Sequence, residues 1–212
     1  LAAINQAQFA TGRLGPLRKI FTGVREPKFQ PPVTCDFFSE LDASQREAVE
    51  FALAASDVAV IHGPPGTGKT TTVVELIRQA VHREHSVLAC APSNTAADHL
   101  LERLVDAGLN AVRLGHPARV TERLREHSLD LLVENDESME VAREMSKEAE
   151  QLFRQAGRHT RAQPKRGAKQ DMRREAKELK RGARLMEKQA VQHIIDRADV
   201  VCATTTVNSE LL

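Results

Sequence analysis

The feature that most constrains this chain is the run Gly63-Pro64-Pro65-Gly66-Thr67-Gly68-Lys69-Thr70. Two glycines are separated by four residues and followed by Lys and Thr, which is the spacing of a phosphate-binding loop. The glycines allow the backbone to curl until successive N–H groups face one anion, and the helix that follows adds the positive end of its dipole. We therefore predict that these eight residues and Thr71 bind a nucleoside triphosphate.

The segments on either side of the loop have the composition that such a loop requires. Val58-Ala59-Val60-Ile61 is a short apolar run and predicts a buried parallel strand. Residues 70–81 carry apolar positions at helical spacing and predict a helix. We expect Lys69 to reach the β- and γ-phosphates and the Thr70 hydroxyl to bind Mg²⁺, which makes these two the candidate catalytic residues. The alternative is a glycine turn that matches the pattern by accident.

Composition limits the compartment more than it limits the function. The chain has 212 residues and a net charge of +1, which indicates no particular partner. Its cysteines, Cys35, Cys90 and Cys202, are far apart and lack metal-ligand spacing, so we expect free thiols in a reducing compartment. Such thiols favour the cytoplasm or the nucleus, and because no run has the length of a membrane-spanning helix, we expect no membrane partner. Because it begins with Leu1, we expect a piece of a longer protein.

Before the loop, the chain divides into a helical start, a linker and a capped helix. Residues 1–23 predict two short helices, and residues 26–34 contain three prolines and predict a linker. Asp42 and Ser44 are candidate N-caps for a helix that continues to Ala55. Gln45 lies in its first turn, where it is either an ordinary surface glutamine or an amide that hydrogen-bonds the edge of adenine.

After the loop, strand and helix signals alternate. Residues 87–91, 110–114 and 199–203 are apolar and predict buried strands, and residues 96–106 predict a helix. Alternation of this kind favours an α/β fold with a parallel sheet and crossover helices. Functional loops lie at the carboxyl ends of such strands, so we expect residues 63–70 and 92–95 at the same edge of the sheet.

Residues 120–197 interrupt this alternation with helix-forming sequence. Apolar residues at helical spacing predict a long antiparallel helical hairpin inserted in the α/β fold, with a narrow apolar seam. The positions are Met145, Ala149, Leu152 and Ala156, then Met172, Ala176, Leu179, Ala183, Met186 and Ala190. The first arm is acidic and the second basic, including Lys165, Arg166 and Lys169. Either the arms simply attract each other as solvated faces, or the basic arm contacts a nucleic-acid backbone.

Three further stretches narrow the choice among ATPases that share the phosphate loop. Residues 41–49 resemble the glutamine motif of superfamily 1 helicases, residues 91–100 resemble the next motif, which touches the nucleic-acid strand, and residues 201–206 resemble a later strand-and-threonine motif. Residues 61–63 and 113–119 are most similar to the immunoglobulin mu-binding branch of that superfamily, which is related to the nonsense-mediated-decay helicase and senataxin. The resemblance runs from about Leu17 to Val207.

The resemblance implies the RecA-like parallel sheet of a P-loop NTPase. It also implies a helicase that uses ATP and Mg²⁺ and moves 5′ to 3′ along single-stranded DNA or RNA. It implies that Gln45 reads adenine, that the loop wraps the phosphates and that Thr70 holds Mg²⁺. The implied contacts to the nucleic-acid backbone are Ser93, Asn94, Thr95, Thr204 and Thr205. It gives His116 and Arg119 no role, and we expect a structural one for both.

The same resemblance implies the domain boundaries. Residues 1–34 would be the end of a helical stalk and a linker, 35–119 the first part of RecA-like domain 1, 120–197 the inserted helical subdomain, and 198–212 the resumption of domain 1. An acidic motif and a second RecA-like domain are missing from this sequence, so we expect the chain alone to hydrolyse ATP negligibly. Two alternatives remain: a ring-forming or other P-loop ATPase, and a truncated non-catalytic fragment that binds nucleic acid.

Overall fold

The computed structural model describes residues 9, 12, 14–115, 120–157 and 167–206, and these form parts of two compact units, residues 1–87 and 88–212. Four residues named in the sequence predictions lie outside the described residues: His116, Arg119, Lys165 and Arg166. Within the described part, no helix is long and apolar enough to cross a bilayer.

Among its described residues, the first unit contains three helices: α1 (Leu14–Phe21), α2 (Ala43–Ala54) and α3 (Lys69–His82). Helices α2 and α3 pack against each other, and their buried apolar residues are Val49, Ala54, Val74 and Ile77. Helix α1 buries none of its side chains. The linker segment is tied to the end of α2 by the Gln30 N–H, which donates to the Ala54 carbonyl at 2.7 Å. Helices α2 and α3 form where helical spacing predicted them.

The buried strand predicted at residues 58–61 is wrong. The segment is neither helix nor strand, and Val60 is 75% exposed. A strand requires a neighbour that accepts and donates its backbone hydrogen bonds, and β-branched composition cannot supply that neighbour. The phosphate loop is therefore preceded by a chain segment without ladder pairing in the described part of the protein.

In the part that the structure describes, the second unit is built on three strands, β1 (Val87–Ala91), β2 (Ala111–Arg113) and β3 (Val200–Thr204), in the spatial order β1-β3-β2. Strands β2 and β3 are parallel, with Ala111 opposite Val200 and Arg113 opposite Cys202. All three strands lie where the apolar runs predicted them. The helices of this unit are α4 (Asn94–Asp106), a 3-10 helix (Glu122–His127), α5 (Leu129–Glu134), α6 (Glu137–Gly157) and α7 (Ala168–Arg197).

The two faces of this sheet are covered by different helices. Val112 and Val201 form one apolar cluster with Leu129 of α5 and Ala190 of α7. Since successive side chains alternate across a strand, Arg113 and Cys202 point to the opposite face, where α4 packs against β2 and β3. Strands β2 and β3 are thus buried, whereas Leu88 and Cys90 of β1 are exposed, so the buried strand predicted there is buried only in part. The carboxyl edge of the sheet is left for loops, as α/β architecture predicts.

Helices α6 and α7 pack along each other through alanines. Their fully buried residues recur at seven-residue spacing and are all alanine: Ala142, Ala149, Ala156, Ala176, Ala183 and Ala190. The methionines and leucines predicted in the seam are half-buried at its sides. Met139 of α6 and Val191 of α7 line one cavity, whereas Lys147 of α6 and Lys180 of α7 line another. Residue numbers therefore rise along α6 as they fall along α7, so the helices run in opposite directions. Small residues at the seam allow the two helix axes to approach closely.

Candidate functional site

The loop at residues 63–68 is shaped by glycines whose conformation other residues avoid. Gly66 has φ +84° and Gly68 has φ +73°, both in the left-handed region. A Cβ on Gly63 would lie 2.7 Å from Thr67 Oγ1, a hydroxyl that donates to the Pro64 carbonyl at 2.9 Å. The loop therefore curls tightly and enters α3 at Lys69.

Cationic and polar groups gather where the loop enters α3. Lys69 Nζ is exposed and donates to the carbonyls of Gly63 at 2.8 Å and Pro64 at 2.7 Å. Thr70 and Thr71 follow in the first turn of α3, half-buried. The first-turn N–H groups of a helix have no intrahelical acceptor. The ammonium and these N–H groups can donate to the oxygens of a triphosphate, and the oxygen of the Thr70 hydroxyl can be a ligand to its divalent cation.

Gln45 is fastened to the loop from the preceding helix. Asp42 caps α2 by accepting the Gln45 N–H at 2.9 Å, and Gln45 Oε1 accepts the Asp42 N–H at 3.1 Å, which completes a capping box. The hydrogen bonds from Gln45 and Ser44 lower the pKa of Asp42. Gln45 Nε2 donates to the Thr67 carbonyl at 3.1 Å. Both ends of the Gln45 amide are therefore hydrogen-bonded within the protein. Recognition of adenine by Gln45 stays a prediction, and it requires the amide to rotate away from these partners.

A buried carboxylate joins α3 to the segment before α2. Glu75 is fully buried, and its Oε1 accepts the Phe38 N–H and Gln79 Nε2, both at 3.0 Å. Burial raises the pKa of Glu75, but hydrogen bonds from Gln79, Ser39 and Phe38 outweigh it and hold the pKa below its ordinary value. Gln79 also donates to the Asp36 carbonyl at 2.7 Å. This network sets the position of the chain leading to Gln45 against the helix that carries Lys69.

The second unit gathers hydroxyls and an amide at the carboxyl edge of its sheet. Ser93 is the N-cap of α4, and its Oγ accepts the Ala96 N–H at 3.2 Å. Asn94 and Thr95 follow it and are exposed. The Thr205 N–H donates to the Ala91 carbonyl at 3.1 Å, so the threonines after β3 lie beside the segment after β1. Five residues that the sequence placed in two separate motifs, Ser93, Asn94, Thr95, Thr204 and Thr205, thus share one sheet edge.

A family model described as an AAA domain matches residues 40–211. The match covers most of the chain and includes the phosphate loop, the Ser93–Thr95 segment and the threonines after β3. This chain belongs to the AAA domain family.

This AAA domain is similar to proteins whose names describe DNA binding or helicase activity. DNA-binding protein SMUBP-2 of Rattus norvegicus is 46% identical over 176 residues, which is 83% of this chain and 17% of that protein. DNA polymerase alpha-associated DNA helicase A of Schizosaccharomyces pombe is 38% identical over 168 residues, 79% of this chain and 25% of that protein. ATP-dependent helicase NAM7 of Saccharomyces cerevisiae is 40% identical over 97 residues, 43% of this chain and 10% of that protein.

The relatives confirm the resemblance to the immunoglobulin mu-binding branch of helicases. The chain spans between a tenth and a quarter of the length of these three relatives. The phosphate loop and residues 91–100 and 201–206 all lie inside the region that the family model matches.

Sequence reasoning gave no role to Arg113 and Asp98, which the structure joins to each other and to Asn94. Arg113, on β2, is 1% exposed and its Nε donates to Asp98 Oδ1 at 3.0 Å. Arg113 Nη2 donates to Asn94 Oδ1, also at 3.0 Å. The one available signal was a charged residue between the apolar Val112 and Leu114 of a buried strand. Such a residue must find a partner inside the fold.

Gly68→Ala tests the loop conformation. A Cβ at Gly68 would collide with Gln45 Nε2, and φ +73° is strained for alanine. We expect a stability loss of about 1–2 kcal/mol and a loss of ATP binding. Gly108→Ala is the matched control, because Gly108 has φ +81° and open space around its Cβ position. Thermal unfolding and ATP titration of both variants measure the effect. Retention of ATP binding by Gly68→Ala would contradict the assigned loop geometry.

Proposed function

We propose that this AAA domain is the ATP-binding part of an ATP-dependent helicase that moves 5′ to 3′ on single-stranded DNA or RNA. The observation that carries the proposal is the glycine loop that enters α3 at Lys69, with Gly66 and Gly68 at positive φ. The printed names of the relatives, which include two DNA or ATP-dependent helicases, support the choice of activity. The fold is proposed to be a partial RecA-like sheet.

In this proposal each residue at the loop has a distinct task. Bound ATP supplies the free energy of phosphoanhydride hydrolysis, and Mg²⁺ offsets the negative charge of its phosphates. Lys69 exchanges its two carbonyl acceptors for phosphate oxygens, which its flexible stem permits. The Thr70 hydroxyl would hold the cation, and the N–H groups of Gly66, Thr67 and Gly68 would donate to the phosphates, since Pro64 and Pro65 have no N–H.

The sheet edge of the second unit is proposed to hold the nucleic-acid strand. Hydroxyls and an amide position phosphates and sugars without reading base sequence, which suits an enzyme that moves along any strand. The chain has an aromatic content of only 3%, so a stacking platform of the usual kind is not the basis of this grip. The edge residues Ser93, Asn94, Thr95, Thr204 and Thr205 would donate to the backbone.

The remaining parts of the chain complete the proposal. The pair α6 and α7 would be the helical subdomain of residues 120–197, inserted in RecA-like domain 1, with Lys169 and the other cations of α7 near the strand. A second RecA-like domain would be the partner that closes on ATP and supplies arginines, without which hydrolysis is negligible. The protein would act in the cytoplasm, the nucleus or both.

The test is ATP hydrolysis by the full-length protein, with and without single-stranded DNA or RNA. We expect hydrolysis to rise when a strand is added, and streptavidin to be displaced from a 3′-biotinylated strand much faster than from a 5′-biotinylated one. Displacement of streptavidin from the 5′-biotinylated strand only would contradict the proposed 5′-to-3′ movement. ATP hydrolysis that no strand stimulates would favour the alternative of a ring-forming or other P-loop ATPase. Strand binding that ATP never changes would favour a non-catalytic binding fragment.

A further inference from the structure

We propose that Arg113 and Asp98 are positioning residues of the strand site, which hold the Asn94 amide with its NH₂ group directed at the bound backbone. Neither residue touches the strand in this proposal. The inference rests on the proposed function, because it assumes that Asn94 contacts nucleic acid.

The geometry places one guanidinium at the centre of the strand-contact motif. Arg113 Nε donates to Asp98 Oδ1 at 3.0 Å, and Nη2 donates to Asn94 Oδ1 at 3.0 Å. Nη1 donates to the Leu114 carbonyl. The side chain of Arg113 is 1% exposed and that of Asp98 is 7% exposed. Arg113 thus joins the end of β2 to the first turn of α4.

The chemistry of the guanidinium decides which end of the Asn94 amide faces inward. Arginine has five N–H donors and no acceptor, so it can accommodate only the carbonyl oxygen of an amide. With Oδ1 held by Arg113, the NH₂ group of Asn94 must lie on the other side of the side chain. Phosphate oxygens are acceptors, so the NH₂ group is the end that can bind them. Without the guanidinium, either end could face the strand.

The surroundings hold the guanidinium in one place. Asp98 Oδ2 accepts the Thr121 N–H at 3.3 Å, which fixes the carboxylate as well. Gly115 has φ +141°, and a Cβ there would lie 3.3 Å from Arg113 Nη1. A buried ion pair is costly, and apolar residues of similar volume are often equally stable. Orientation of Asn94 is a function that such apolar residues could not provide.

A double-mutant cycle in the full-length protein tests the proposal, with labelled oligo-dT and oligo-U as probes. Asn94→Ala should weaken binding about fivefold, the equivalent of one net hydrogen bond. Arg113→Lys keeps the charge but loses the fork, and should weaken binding by a similar factor. The double variant should bind no more weakly than Asn94→Ala alone. The salt dependence of binding should be unchanged throughout, because no cation that touches phosphate has been removed.

The matched control is Arg123→Lys. Arg123, in the 3-10 helix, pairs with Glu102 of α4, the helix that carries Asn94 and Asp98, but its side chain is 72% exposed, and we expect no change in binding. ATP affinity, measured in parallel, reports that each variant is folded. If Arg113→Lys does not fold, Asp98→Asn replaces it. An amide cannot accept from both Arg113 Nε and the Thr121 N–H as the carboxylate does, so the guanidinium loses part of its anchor, and the same non-additivity is then expected.

Three outcomes overturn the inference. Arg113→Lys that binds like the unaltered protein means that the guanidinium does not orient Asn94. Losses that multiply in the double variant mean that Arg113 acts independently of Asn94. If Asn94→Ala binds the oligonucleotides as tightly as the unaltered protein, Asn94 does not contact the strand. That result contradicts the proposed strand site, whereas the first two outcomes contradict only the positioning role.

Discussion

Lys69→Ala is expected to abolish the stabilisation of this protein by Mg²⁺-ATP. At a hundredfold excess of ligand over its dissociation constant, binding stabilises the native state by about 2.7 kcal/mol. For a chain of 212 residues this corresponds to a rise in Tm of roughly 5–10 °C. If the variant binds a hundredfold more weakly, the stabilisation falls to about 0.4 kcal/mol, which is at the limit of detection.

The ligand-free protein should be almost unaffected by this change. Lys69 is exposed, and its contacts are with the carbonyls of Gly63 and Pro64, which water can also solvate. The expected cost is within about 0.5 kcal/mol. The control is Lys28→Ala, which removes another exposed lysine of the same unit and should keep the full ATP effect. A Lys69→Ala protein that ATP still stabilised would show that the ammonium does not bind the phosphates.

Ala176→Leu is expected to separate helices α6 and α7. Ala176 is completely buried in the alanine seam, and a leucine adds three carbons where two helices already touch. Overpacking of this kind costs about 1–3 kcal/mol. We expect unfolding at a lower denaturant concentration and faster hydrogen exchange in the amides of α6 and α7, while the amides of the sheet stay protected from exchange.

Lys177→Leu is the matched control for this experiment. It introduces the same side chain one residue further along α7, at an exposed position. Its stability should stay within about 0.5 kcal/mol of the unaltered protein. Equal stability of the two variants would mean that the alanine seam is not closely packed, and that the interaction between the helices depends on the charges of their outer faces.

The charged faces of α6 and α7 were visible in the sequence, but the identity of the seam residues was not. Helical spacing marked methionine, leucine and alanine positions alike as apolar. The structure buries the alanines and leaves Met145, Leu152 and Leu179 half-exposed, because the closest helix approach is set by the smallest side chains. Periodicity reports which face of a helix is apolar, and it does not report how near the partner helix comes.

The phosphate loop shows what local sequence can predict. Its glycines, Lys69 and Thr70 are neighbours in the chain, so their spacing alone implied the curl that Gly66 and Gly68 adopt. The segment before the loop shows the limit. Residues 58–61 have strand composition, yet pairing depends on another part of the chain, and the structure leaves them unpaired within its described part.

The sequence by itself determined the α/β class, the three strands and the long helices of the second unit and the nucleotide-binding loop, because each depends on residues that are close along the chain. Only the tertiary structure decided how Gln45 meets Thr67, 22 residues away, and how Arg113 meets Asp98 and Asn94. Those contacts join residues on different elements. The physical reason is that a buried polar group takes whichever partner the packing brings within hydrogen-bond distance, and no spacing rule specifies that partner.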